Sequence, residues 1–263
     1  MRLRALPSRQ DNYIWTLADA TGRAIVVDPG EAAPVLEAAA AGLEPVAILL
    51  THHHYDHVDG TAALLARWPH LPVFGPADGR IEVPVRTLAE GDRLELLGLE
   101  VTVLAVPGHT LSHLAFHVTE PDTGGTGGGW LFCGDTLFSL GCGRLFEGTP
   151  DQMHASLMRL AALPDATAVC CGHEYTLSNA AFARAVDPDN AALQRRTEEA
   201  QAMRESGHPS LPSTLASERA CNPFLRCDAQ AVVNAVAGWL GRPAGDATGT
   251  FAALRRWKDG FAG

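Results

Sequence analysis

The chain has 263 residues, 46% hydrophobic and 19% charged, with a formal net charge of -10. That length and apolar content suit one large domain, or a domain with a smaller appendage, around a sizeable core. The negative balance argues against a nucleic-acid or anionic-membrane surface, which needs a clustered positive field, and no apolar run approaches the ~18 residues of a membrane span. The opening MRLRALPSRQDNY lacks the uninterrupted apolar region of a signal peptide, so the cytosol is the expected location. Cysteines at 133, 142, 170, 171, 221 and 227 form no Cys-x-x-Cys pair and read as small buried residues of a reducing compartment. Every basic residue except Lys258 is arginine, and any anionic ligand must be met by a local basic group.

In chain order, strand-like runs occupy 13–17, 24–27, 46–50, 99–106, 114–118, 130–133 and 168–171, interleaved with helical stretches near 31–42, 57–68 and 151–162. This is an α/β pattern. DTGGTGGG, at 122–129, reads as a flexible hairpin loop between two strands, and it lacks the Gly-Lys-Ser/Thr and following helix of a phosphate cradle. After about residue 175 the strands stop and helices are expected near 176–186, 189–206, 228–241 and 248–258, divided by HPSLP and GRPAGDATG. The change of class puts a boundary near 175, giving an α/β unit at 1–175 and a mostly helical unit at 176–263. No internal repeat is present.

Polar clusters recur immediately after strand-like runs: THHHYDH at 51–57, GHT at 108–110, GDT at 134–136 and GHEYT at 172–176. Loops at strand ends are where α/β proteins assemble sites, and His and Asp are donors for borderline divalent metals. Seven such donors exceed one tetrahedral ion, whereas two ions sharing a carboxylate would use them all. An extended backbone sends His52 and His54 to one side and His53 to the other, and Asp56 and His57 lie at the turn into the next helix, displaced toward a second ion. His113 and Thr110 fall beside the ligands as supporting or packing groups. His70, His117, His154 and His208 have no partner motif.

THHHYDH with Gly108-His109-Thr110, Gly134-Asp135-Thr136 and Gly172-His173 resembles the metallo-β-lactamase superfamily. The resemblance implies an αββα sandwich with its site at one edge of the sheets. It implies that His52, His54 and His109 hold one metal, that Asp56, His57 and His173 hold the other, and that Asp135 bridges both. Asp11-Asn12-Tyr13, Gly134 to Phe138, Gly141-Cys142-Gly143-Arg144, Glu147-Gly148, Cys171 to Thr176, Asn222-Pro223-Phe224 and Arg255 to Asp259 are together similar to the glyoxalase II family of hydroxyacylglutathione hydrolases, over nearly the whole chain. That likeness implies hydrolysis of S-D-lactoylglutathione to D-lactate and glutathione by a hydroxide held between two metal ions. Asp56 and Asp135 are then the carboxylates of the catalytic centre. Zinc is the first expectation for the ions, and iron and manganese suit the same donors.

For the glutathione moiety the matched positions are Arg144, Tyr175, Arg255 and Lys258. Arg255 and Lys258, three apart on the last helix, can grip a carboxylate together. Two positions depart from the family pattern. Arg144-Leu145-Phe146 replaces Lys-x-Tyr and loses a phenolic hydroxyl, and Asp59 stands in place of glycine, either facing outward or supporting a ligand histidine. A persulfide dioxygenase with a single iron is the nearest alternative, but it would not need the helical unit. An RNA-processing nuclease is opposed by the net charge, and a purely structural metal module by the open loops around the donors. A monomer is expected, with a small-molecule glutathione thioester as its only partner.

Overall fold

A computed structural model of the chain describes residues 1–120 and 127–261. Most of the DTGGTGGG loop therefore lies outside the described residues. The first sheet is ordered β1 (Arg2–Ser8), β2 (Asn12–Ala18), β3 (Arg23–Val27), β4 (Glu44–Leu49), β5 (Val73–Pro76) and β6 (Arg86–Leu88). In β3 and β4, Ile25, Val27, Ala47 and Leu49 face one buried cluster, while Val26 and Ile48 face another. That two-residue alternation gives the sheet two apolar faces, as parallel strands require. The outer face is covered by α1 (Ala33–Ala40) and α3 (Thr61–Arg67), through Val35, Ala38 and Leu64.

The second sheet contains β7 (Arg93–Leu96), β8 (Leu99–Ala105), β9 (Leu114–Thr119), β10 (Trp130–Gly134), β13 (Ala168–Cys171) and β14 (Ser213–Thr214), in the spatial order β14-β13-β10-β9-β8-β7. Val101, Val103, Phe116 and Phe132 lie on one face of this sheet and share a buried cluster with the inner face of the first sheet. Met153, Leu157 and Leu160 of α4 (Pro150–Ala161) join the same cluster from the far side. The architecture is the expected αββα sandwich. A small hairpin, β11 (Leu137–Phe138) and β12 (Gly141–Cys142), interrupts the chain between β10 and α4.

The helical region comprises α5 (Thr176–Val186), α6 (Ala191–Glu205), α7 (Leu215–Cys221), α8 (Gln230–Leu240) and α9 (Ala247–Asp259), with a 3-10 turn at Pro223–Leu225. The strands do not stop at residue 175: β14 pairs antiparallel with β13, so the helical region returns one short strand to the second sheet. The helix expected over 57–68 is also divided, into α2 (Tyr55–Val58) and α3. Gly60 separates them because it lies against the backbone of Pro29 and Glu31, where a Cβ would sit 2.5 Å and 2.4 Å from their atoms. No described helix is long and apolar enough to cross a membrane. All six cysteines are buried and unpaired.

Candidate metal centre and substrate cleft

Strand-end loops from both sheets converge. His52 to His57 follow β4, while His109 follows β8, Asp135 follows β10 and His173 follows β13. His54 Nδ1 lies 3.0 Å from His52 Nε2 and 3.0 Å from His109 Nε2, so three ring nitrogens surround one point. Asp56, His57 and His173 form a second group, with Asp56 Oδ2 3.6 Å from His57 Nε2 and 3.5 Å from His173 Nε2. The Asp135 carboxylate stands between them. Its Oδ2 is 3.5 Å from His109 Nε2 and 3.3 Å from His173 Nε2, and its Oδ1 is 3.4 Å from His57 Nε2. His57 Nε2 and Asp135 Oδ1 are buried without a hydrogen-bond partner. Such atoms in a polar interior are what a cation would satisfy, and the N and O donor set suits a divalent ion.

The far side of each ring fixes which nitrogen is free. His57 Nδ1 donates to Asp28 Oδ2 at 3.0 Å, His173 Nδ1 to Asp11 Oδ1 at 2.8 Å, and His109 Nδ1 to the Arg144 carbonyl at 2.9 Å. His52 Nδ1 bonds to Thr51 Oγ1 at 3.0 Å, and that hydroxyl donates to Asp28 Oδ2 at 2.6 Å. Asn12 Nδ2 donates to Asp56 Oδ2 at 2.9 Å. These partners leave Nε2 directed inward on four rings, the usual support of metal-bound histidine. Asp28 also groups geometrically with His52 and His57, but its oxygens are taken by Thr51 and the His57 Nδ1–H, so it orients those two side chains.

Burial pushes the His52 imidazolium well below its ordinary pKa, and lowers His109 as well. His54 falls to about 4, through burial and the neighbouring His109 and His53. The first group is therefore neutral near pH 7, with lone pairs available. Burial opposes ionisation of Asp135, but His173 and His57 outweigh it and hold the carboxyl well below its usual range. For His57 burial is likewise outweighed, by the Asp135 and Asp28 charges, and its pKa rises well above normal.

His53 points away, its Nδ1 3.4 Å from Asp78 Oδ2. His113 is fully buried, stacks on His52 at 4.6 Å and accepts the Asp135 N–H at 3.2 Å. Asp59 faces outward and pairs with Arg9 at 3.0 Å, touching no ligand histidine.

A cleft of about 510 Å³ is lined by His109 and Asp135 together with Arg144, Phe146, Tyr175, Arg255 and Lys258. It contains all four residues expected to hold substrate. The Tyr175 ring stacks on His173 at 4.7 Å. Phe146, 63% exposed, sets its ring edge-on to His54 and His109. Arg144 is exposed, and Lys258 is half-buried, donating to the Ser178 carbonyl at 3.1 Å. Arg255 differs from the free cation expected. It is 5% exposed, with Nη1 on the Cys142 carbonyl at 2.8 Å and Nη2 on Asp259 at 2.9 Å. Sequence reasoning missed Asp28, although VVDPG carries the same strand-end signal as the ligand loops, and it cited Asp11 and Asn12 only as part of a motif.

A family model described as "Metallo-beta-lactamase superfamily" matches residues 12–173, and one described as "Hydroxyacylglutathione hydrolase C-terminus" matches 174–261. A hydroxyacylglutathione hydrolase of Xanthomonas euvesicatoria pv. vesicatoria (strain 85-10) is 58% identical over 262 residues, 99% of both chains. The chain belongs to the hydroxyacylglutathione hydrolase family. Two solved structures show the fold at lower identity. ETHE1 from Myxococcus xanthus is 25% identical with a TM-score of 0.65, over 97% of this chain and 90% of that one. TTHA1623 in a di-iron-bound form is 33% identical with a TM-score of 0.52, over 66% of this chain and 92% of that one. The αββα sandwich described above is thus the metallo-β-lactamase fold, and the helical region after it is the part that the hydroxyacylglutathione hydrolase C-terminus model matches.

Proposed function

We propose that the chain hydrolyses S-(2-hydroxyacyl)glutathione thioesters, chiefly S-D-lactoylglutathione to D-lactate and glutathione, as a monomer with two divalent ions. The observation that carries this reading is that the Asp135 carboxylate, poised between two ligand groups, opens into the same cleft as Arg144 and Lys258. The comparisons support the activity through full-length relatives that carry its name, and the count of two ions through a neighbour solved in a di-iron form. Zinc, iron and manganese all fit the donors, with zinc the first candidate. A reducing cytoplasm suits six unpaired buried thiols.

His52, His54 and His109 would hold one ion and Asp56, His57 and His173 the other, with Asp135 shared. The chemistry such ions supply is Lewis acidity, which stabilises charge on oxygen and makes water acidic enough to be a nucleophile near pH 7. The rest is positioning by the chain. Arg144 and Lys258 attract the glutathione carboxylates, Arg255 adds positive charge while fixing the Cys142 wall, and Tyr175 and Phe146 bracket the thioester arm. Binding energy from that remote arm orients the carbonyl. The departing thiolate has an ordinary pKa of ~8.5, so no protein acid is needed.

The test is metal content and thiol release on one preparation. Two ions per chain with rapid release of D-lactate and free thiol is the expected result. Asp135→Ala should lose more activity than loss of any single terminal ligand, because it removes a bond to both ions. A fully loaded protein that leaves S-D-lactoylglutathione intact would end the reading. A single iron with activity on a persulfide would install the dioxygenase alternative, against which the 58% identical hydroxyacylglutathione hydrolase relative stands.

A further inference from the structure

The segment leaving Asp135 is held in place from outside the sandwich. It forms the β11–β12 hairpin and reaches Arg144, whose carbonyl accepts the His109 Nδ1–H. It therefore begins at one ligand and ends at the group that orients another. Between them, Phe138 sets its ring edge-on to His173 at 5.9 Å. The hairpin has only two residue pairs of its own, and Leu140 at its tip has a φ of 60°, a left-handed conformation that surrounding contacts must hold for a branched side chain.

Those contacts come from the helical region. Asn179 Nδ2 of α5 donates to the Ser139 carbonyl at 3.1 Å, and Arg196 Nη2 of α6 donates to Ser139 Oγ at 3.2 Å. The Leu140 N–H donates to Glu218 Oε2 of α7 at 2.8 Å. Asn222 Nδ2 donates to the Phe138 and Gly141 carbonyls, each at 3.0 Å, and Arg255 Nη1 of α9 donates to that of Cys142. Every residue from 138 to 142 thus receives a polar side chain from the helical region. Glu218 and Asn222 are fully buried, and Asn179, Arg196 and Arg255 are 5% exposed. Asn222 Nδ2 also lies 3.2 Å from Glu218 Oε2, which joins the two into one unit. Position 141 has room only for glycine, since a Cβ there would lie 2.5 Å from Asn179 Nδ2.

Burying a carboxylate and two guanidinium groups is costly unless each is paired, and here the pairing runs largely to the backbone and side chains of one short hairpin. Apolar packing could cover that hairpin but would not fix the direction of its carbonyls. We propose that Glu218 and Asn222 are positioning residues for the metal centre: they lock the 137–142 hairpin, and through it set the Asp135 carboxylate and the His109 ring. The proposal rests on the metal-centre reading above. It gives the helical region a second task, independent of glutathione.

The test uses the full chain, stripped of metal and titrated with Co(II), whose visible spectrum reports ligand geometry. Glu218→Ala and Asn222→Ala should bind cobalt at least 10-fold more weakly with an altered spectrum, and kcat should fall at least 10-fold while KM changes less than twofold. Glu218→Gln keeps an oxygen for the Leu140 N–H and should stay within threefold of the unaltered protein. Variants that fold, by circular dichroism, yet bind cobalt with unchanged affinity and spectrum would overturn the proposal, as would a loss confined to KM. Should the alanine variants not fold, Asn179→Ala, which removes one hydrogen bond, decides: the same spectral change supports the proposal, and an unchanged spectrum overturns it. An unaltered protein that took up no cobalt would instead remove the metal centre itself, and the proposal with it.

Discussion

A single methyl group tests how closely the ligand loops pack. A Cβ at Gly172 would lie 2.7 Å from Asp135 Oδ1 and 2.7 Å from His57 Cε1, so Gly172→Ala pushes directly on the shared carboxylate. Metal analysis of that variant should show substoichiometric loading, with activity falling in proportion to the loss. At the other side of the cleft, Lys258→Ala should cut kcat/KM for S-D-lactoylglutathione about 10-fold or more, the ~1.5 to 3 kcal/mol of a charge-assisted contact. Metal content should not change. A small thioester without glutathione carboxylates should be turned over poorly but equally by both proteins, and equal losses on both substrates would withdraw the assignment. The pH dependence follows from the surroundings of Lys258. Burial, then Arg255 and Arg144, lower its pKa from 10.5, so the ammonium loses its proton at a lower pH than a free lysine would. Binding of unreactive S-methylglutathione should weaken as pH rises through that range, and Lys258→Arg, which stays charged, should flatten the alkaline limb.

At the scale of elements, α4 begins with a reciprocal cap. Gln152 N–H donates to Thr149 Oγ1 at 3.3 Å, and Thr149 N–H to Gln152 Oε1 at 2.9 Å. Thr149→Ala should cost about 1 kcal/mol of stability, read by denaturant unfolding, with metal content unchanged. Elements with a clean pattern were legible in the sequence: β3 and β4 are short continuous apolar runs, β8 alternates, and α5, α6, α8 and α9 carry helical spacing between turn signals. β11, β12 and β14 are two residues each, too short to show a period, and form only because neighbouring elements supply partners. The candidate ligands were legible for a related reason. They cluster within a few residues after strands, where local order determines placement. Asp28 reaches His57 across 29 residues and Glu218 reaches Leu140 across 78, and no local pattern encodes either meeting. Arg255 was legible as a cation on the last helix, but its commitment to the Cys142 carbonyl depends on where that helix docks.

For the whole molecule, the boundary near 175 separates two sequence patterns but not two cores. Phe182, Phe224, Val232, Phe251 and Leu254 share one buried cluster with Val103, Phe132 and Val169 of the second sheet. A chain cut after residue 175 should therefore lose its cooperative thermal transition as well as the proposed glutathione contacts, and a truncated protein with a full-length melting temperature would show the two units to be independent. The metal groups have a related consequence. His52 and His54 hang from the first sheet, and His109 from the second, so one ion coordinated by all three fastens the layers together at their active edge. Ligation then becomes a term in unfolding, and the melting temperature should climb with free zinc as ligand linkage requires. Chelation should accelerate amide exchange first at Leu114 and Tyr13, whose N–H groups cross to the carbonyls of Thr51 and Gly172 beside the ligands. A cell short of the metal would then lose this protein to proteolysis as well as to idleness.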